Sequence, residues 1–251
     1  MMRNNYKEIN RCNQRGGRML SIIDLLEAGS LPENLAAYLF SAVNRANASF
    51  MVGANPGGAG KTTVMGALLN LVSPRYTLQP ADSLQTLQKA LSKGPETEPK
   101  CWICHEIGSG PYYAYLWGEE ARAFFALSEH GHMLATNLHA DTYVQAYEQL
   151  CHDNNVPENH FHGMQLQLYL TLERNRNGAI MRRINTVHES DGASEHRLIY
   201  DLKNSYTPHP LDISKLISDD DFRECGDIIR DLKGKGISHI EQIETLLSNR
   251  L

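Results

Sequence analysis

The sequence predicts an α/β fold with a mostly parallel central sheet flanked by helices and an antiparallel hairpin at its C-terminal edge. Three observations carry this. Short apolar runs alternate with stretches of helical period between Ser49 and Leu138, the pattern of strand and helix crossovers in a parallel sheet. A glycine-rich loop beginning at Asn55 lies between one such strand and one such helix. Beyond Pro157 the pattern changes, with Met164 to Glu173 and Gly178 to His188 alternating apolar and polar residues and joined through Asn177-Gly178, a hairpin signal.

In chain order, residues 1–18 are rich in Asn and Arg and carry no period, so they are read as a flexible arm that adds little core. A main domain is expected over 19–205. Leu20, Ile22, Ile23, Leu25 and Leu26 form a short apolar helix ended by Gly29, and Ser30 with Glu33 reads as a capping box for a helix from Pro32 to Asn47. Ser49 to Ala54 is a strand, and Val64, Leu68 and Leu71 give Thr62 to Leu71 its helical spacing. A weak strand follows at Tyr76 to Leu78, then a helix marked by Leu84, Leu87 and Leu91, and a polar loop from Gly94 to Pro99. Cys101 to Cys104 is a buried-type strand, Gly118 to His130 a helix, and His132 to Leu138 another strand. Arg197 to Leu202 is expected as an edge strand. Two capped helices, Ser218 to Lys233 and Ser238 to Ser248, form a C-terminal helical appendage over 206–251.

Composition narrows the function classes. A chain of 251 residues, 41% hydrophobic, buries a full core. Its net charge of −5 implies no basic face for phosphate backbones, so no nucleic acid partner is expected. No run approaches ~18 apolar residues and the first eighteen are polar, so neither a membrane span nor a secretory signal is expected. The expected setting is cytoplasmic, with room for a peripheral place at the inner face of the cell membrane. Five cysteines at irregular spacings do not form a disulfide framework.

The loop Asn55-Pro56-Gly57-Gly58-Ala59-Gly60-Lys61-Thr62-Thr63 has the parts of a phosphate cradle. Glycines let successive backbone N–H groups turn toward phosphates, Lys61 reaches the β- and γ-phosphates, and the Thr62 hydroxyl suits a magnesium ion. A glycine-rich loop alone is often only a turn; lysine and two threonines opening a helix after a strand make this one specific. The usual first glycine is Asn55 here, and asparagine tolerates positive φ better than most residues. Hydrolysis would further need a carboxylate at the end of the next strand, where Glu106 stands.

With these residues in place the chain resembles the type II/IV secretion and pilus ATPase family, in its C-terminal P-loop ATPase domain, over about Ile22 to Asp201. Four matches carry the resemblance in order: the glycine loop; Glu106, where the family's second nucleotide motif ends in Gly-Glu; the helix Gly118-Glu119-Glu120-Ala121-Arg122-Ala123-Phe124-Phe125 leading to Gly131-His132; and Thr136-Asn137-Leu138-His139, similar to the family's Thr-Leu-His box. The resemblance implies a RecA-like P-loop NTPase that binds ATP and Mg2+ and hydrolyses ATP in a hexameric ring. It implies membrane-embedded secretion or pilus components as partners. Glu106 would then polarise water, His139 would sense the γ-phosphate, and Glu119 and Arg122 would be polar supports between strand and ring interface.

Three departures accompany it. The family's large N-terminal domain has no room ahead of Ile22. The family's acidic segment between the first two motifs is here Thr77-Leu78-Gln79-Pro80-Ala81-Asp82, which leaves one magnesium-side carboxylate missing or displaced to Asp82. An insertion at 108–117 brings Pro111, Tyr112, Tyr113, Tyr115 and Trp117 together, as a lid, a partner contact or the filling of a local pocket. The alternatives are a nucleotide-responsive assembly factor that hydrolyses weakly or not at all, and a small-molecule kinase. Guanine specificity lacks its Asn-Lys-x-Asp motif. Cys101-Trp102-Ile103-Cys104-His105 has the spacing of a haem-attachment motif, but a strand points Cys101 and Cys104 to opposite faces. His152, His160 and His162 read as exposed loop histidines rather than a metal set, and Glu119, Glu120 and Arg122 equally fit a solvated helix face.

Overall fold

The computed structural model describes residues 5–13, 16–55, 57–93, 99–174, 177–204 and 214–250. Pro56, most of the polar loop 94–99, and the start of the 206–251 tail lie outside them. The elements run α1 Asn5–Cys12, α2 Ile22–Glu27, α3 Glu33–Asn44, β1 Phe50–Gly53, α4 Lys61–Leu69, β2 Thr77–Pro80 and α5 Leu84–Leu91. They continue with β3 Lys100–Ile107, β4 Tyr115–Leu116, α6 Glu119–Ala126, a 3-10 turn at Leu127–His130, β5 Met133–Leu138 and α7 Tyr143–Tyr147. A π-helical stretch Glu148–Asp153, α8 Glu158–His162, β6 Leu166–Arg174, β7 Ile180–Glu189, β8 Arg197–Asp201, α9 Asp219–Gly234 and α10 Ile240–Arg250 complete the order.

The sheet runs β2-β3-β5-β1-β6-β7-β8, with β4 alongside β3. Pairing is parallel from β2 through β6 and antiparallel from β6 to β8. The parallel strands are buried on both faces, so alternate residues feed two separate cores. Phe50, Val52, Cys101 and Ile103 pack with α1 to α4 on one side. Met51, Trp102, Cys104 and Leu134 pack with α5 to α8 on the other. Cys101 and Cys104 therefore do lie on opposite faces, as the period of two requires. The β6–β7 ribbon is buried where it meets β1 and emerges toward its tip, where Gly178 takes φ 79° as the hairpin signal asked.

The structure corrects the sequence reading in several places. Asn5–Cys12, within the expected arm, is a helix whose Ile9 and Cys12, three residues apart on one face, are buried in the first core. The Asn5 side chain donates to the Tyr76 carbonyl (3.1 Å) and accepts from the Leu78 N–H (3.2 Å), on the outer edge of β2. The capping box belongs to Ser21 and Asp24, one helix earlier than expected; α3 begins after Pro32 with no side-chain cap. Pro32 presets the φ of the residue before the helix, so α3 starts without a Ser30 cap. The tail helices pack onto the first core. Helix α3 is buried almost all round, which needs cover on its outer side, and α9 supplies it with Cys225, Ile228, Ile229 and Leu232 in the same core. Ile240, Ile243 and Leu247 of α10 join that core too. Among the described residues, no helix is long and apolar enough to cross a membrane.

Candidate functional site

Strand β1 ends at Gly53, and the chain turns through Asn55 and the glycines into α4. Gly58 and Gly60 take φ of 83° and 99°, and Gly60 is the N-cap of α4 in the left-handed region that L side chains avoid. The first N–H groups of α4 thus point into a cleft of about 660 Å³. Gly57, Gly58, Ala59, Gly60, Lys61, Thr62 and Thr63 all line it. Asn55 does not take positive φ, contrary to the reasoning from its residue type. It is held instead by Asp141, whose carboxylate accepts from the Asn55 N–H (2.7 Å) and side-chain amide (3.0 Å). Gln145 in α7 extends that link by accepting from the Asp141 N–H (2.7 Å).

Glu106 reaches the cleft through an irregularity in β3. The β3–β5 register slips between Cys104 and Ile107, so that His105 and Glu106 oppose Asn137 alone. Asn137 bridges the gap by donating its side-chain amide to the His105 carbonyl (2.8 Å). A bulge bends the strand and re-aims its side chains, and here it brings the Glu106 carboxylate to the phosphate loop. The segment after β3 folds back, so that β4 pairs alongside Glu106 through Tyr115. Within the 108–117 insertion, Ala114 and Leu116 are buried and Tyr115 lines the cleft, while Tyr112 and Tyr113 are exposed.

Lys61, Glu106 and His139 converge at the mouth of the loop. The Lys61 ammonium stands 3.1 Å from Glu106 Oε1, donates to the Ala54 carbonyl (3.1 Å) and lies 3.1 Å from His139 Nδ1. His139 Nε2 is 4.0 Å from Glu106 Oε2. Lys61 and Glu106 are nearly buried, whereas half of the His139 side chain is open to solvent. Burial raises the Glu106 carboxyl above the ordinary carboxylate range, and the Lys61 charge pulls it part of the way back. Burial likewise lowers the Lys61 ammonium, and Glu106 opposes that shift. The pair is one coupled unit whose charges hold each other in place.

Other expected residues lie elsewhere. Glu119 is exposed on α6 and Arg122 donates to the Asn154 carbonyl (2.9 Å); neither lines the cleft. Asp82 is exposed, accepts from the Ser83 hydroxyl (3.2 Å) and does not line the cleft either, so no displaced carboxylate reaches the loop from there. His160 and His162 belong to α8 rather than a loop, and His160 pairs with Glu129 (2.8 Å). Asp141, Gln145 and Arg182 were not singled out from sequence, and Tyr115 was named only as one aromatic of the 108–117 insertion. Asp141 follows His139 by two residues, the one local signal available; Tyr115 and Arg182 arrive through a fold-back and a hairpin, which no spacing reveals.

No family model matches the chain, and no curated protein matches it. Solved structures do. The chain is similar to solved ATPases, one of them from a type IV secretion system. One is the VirB11 ATPase of the Brucella suis type IV secretion system in complex with sulphate, at 18% identity and TM-score 0.46, over 68% of this chain and 57% of that one. Another is the Legionella pneumophila ATPase DotB, at 10% identity and TM-score 0.46, over 93% and 67%. The Yersinia pseudotuberculosis ATPase DotB matches at 13% identity and TM-score 0.45, over 89% and 62%. The chain thus spans 57% to 67% of the length of these proteins.

Proposed function

We propose that this chain binds ATP with magnesium in the Asn55–Thr63 loop and hydrolyses it, as a motor ATPase of the secretion and pilus type. The observation that carries the reading is the convergence of Lys61, Glu106 and His139 at the start of α4. Backbone N–H groups and Lys61 cradle the phosphates. Thr62 and Glu106 put a hydroxyl and a carboxylate into the cleft, oxygen donors that suit magnesium. When bound, the ion neutralises charge on the phosphates.

The Lys61–Glu106 contact suggests how binding prepares the reaction. Phosphate oxygens compete with Glu106 for the Lys61 ammonium and draw it into the cradle. The carboxylate released is buried and basic, and it orients and polarises a water against the terminal phosphate. His139, half open at the mouth and touching both partners, reports whether that phosphate is present. The ordered motifs further support a hexamer working beside membrane-embedded secretion or pilus components, at the inner face of the cell membrane.

ATP turnover of the full chain tests this. Lys61→Ala removes binding, and Glu106→Gln keeps binding while slowing turnover by about a hundredfold or more. A second reading, a nucleotide-responsive factor that does not hydrolyse, is favoured by the absence of Asp82 from the cleft. Lys61-dependent binding without turnover would select it.

A further inference from the structure

Among the described residues, several arginines are fixed by ion pairs to carboxylates. Arg45 meets Glu224, Arg197 meets Glu189 and Arg230 meets Glu33. Arg18, which lines the same cleft as the glycine loop, is neutralised by both oxygens of Asp24. Arg183 on β7 stands 3.9 Å from Glu173. Arg182 differs. It projects from the exposed end of β7 into the cleft lined by Gly57 to Thr63, and its Nε donates to the Gly58 carbonyl at 2.8 Å. Among the described residues, no carboxylate stands within ion-pair distance of it.

The arginine stem runs close over the cap of α4: a Cβ on Gly60 would stand 3.4 Å from Arg182 Cδ, at ordinary contact distance. One of five guanidinium N–H donors is engaged by Gly58, and the rest of the planar fork is left for other acceptors. A full positive charge with no carboxylate at ion-pair distance among the described residues, over a loop whose N–H groups also point inward, makes an anion site with two independent sources of positive potential. Two parallel N–H donors match the non-bridging oxygens of a phosphate.

We propose that Arg182 is a nucleotide-contacting residue, exchanging its bond to the Gly58 carbonyl for phosphate oxygens of a polyphosphate seated in the loop. The proposal rests on the P-loop reading above and adds a second cation, supplied by the same chain from a strand that carries none of the nucleotide motifs. Lys61 grips the phosphates from the helix side, and Arg182 closes over them from the hairpin side. The β6–β7 ribbon is then part of the nucleotide site and not only the edge of the sheet.

Calorimetric titration of ATP with magnesium into the full chain tests this with four proteins. Wild type binds and Lys61→Ala does not, which establishes the loop as the site. Arg182→Ala weakens ATP binding by about tenfold to a hundredfold, the range for losing a charge-assisted contact. Arg182→Gln separates the two roles, because glutamine can still donate to Gly58 but carries no charge. It is expected to bind as weakly as the alanine variant, with an unchanged thermal midpoint in the absence of nucleotide. If Arg182→Gln binds ATP like wild type, the arginine only braces the loop and the proposal falls while the P-loop reading stands. If wild type itself does not bind ATP, both fall together.

Discussion

Gly53→Ala perturbs the fold at the point where it hands over to the site. A Cβ at this position would stand 2.5 Å from the Ala140 carbonyl oxygen and 2.7 and 2.9 Å from two carbons of the Tyr169 ring. Neither neighbour yields easily. Tyr169 is fully buried and its hydroxyl donates to Gln167 (2.6 Å), and Ala140 is backbone between His139 and Asp141. Contacts this short force the backbones apart, at about 3 kcal/mol, the upper end for overpacking. With a denaturant dependence of about 3 kcal/mol per molar urea for a chain of this size, the midpoint should fall by about 1 M. The easiest relief moves Ala140 outward and takes His139 from Lys61 and Asp141 from Asn55, so nucleotide affinity should fall as well. Gly234→Ala is the control, since it ends α9 with nothing within 4 Å of the added carbon; it should be neutral or stabilising by roughly 0.5 kcal/mol. A Gly53→Ala midpoint equal to that of wild type, with nucleotide binding intact, would refute the reasoning.

Two further outcomes follow from contacts on both sides of β6. His188 and His196 sit in an aromatic cluster with Tyr143, Phe161 and His162, and burial lowers both imidazoles to about 4. A histidine near 6.5 when unfolded and near 4 when folded favours the fold fully above about 6.5, and this is lost as pH falls from there toward 4. For His196, 8% exposed, the loss is about 2 kcal/mol at about pH 5, and urea midpoints that do not drop between neutral pH and pH 5 would contradict it. Asp141→Ala frees Asn55 at the start of the loop and should weaken ATP binding about tenfold for a change in stability of roughly 1 kcal/mol, as read by titration and urea melts.

The strand, glycine loop and helix were legible because their signals are local. Apolar period, left-handed glycines and the Lys61-Thr62 pair all fall within about twenty consecutive residues. The alternation of strands and helices fixed the parallel layers for the same reason, and Asn177-Gly178 announced the antiparallel ribbon. What stayed hidden is non-local. Helix α1 shows only two buried residues among polar neighbours, and its seat is built from β2 and α10. Helices α9 and α10 read as capped helices, but nothing in a cap says which partner covers the buried face. Glu106 was found at the end of its strand, yet its aim depends on a bulge that Asn137 holds from another strand. Asn55 was explained by its own backbone tolerance when the cause is a carboxylate 86 residues away.

The Asn5 amide on the rim of β2 guards one open edge of the sheet. A sheet whose outermost strand offers a row of free N–H and C=O groups is a template for another chain, and β2 would be that strand. One asparagine side chain occupies a carbonyl and an N–H two residues apart on it, mimicking a single rung of a neighbouring strand. Helix α1 lies beside the same rim. Lateral growth of the sheet is hindered at this end by an amide plug, a local guard against the edge-to-edge pairing that leads to aggregation.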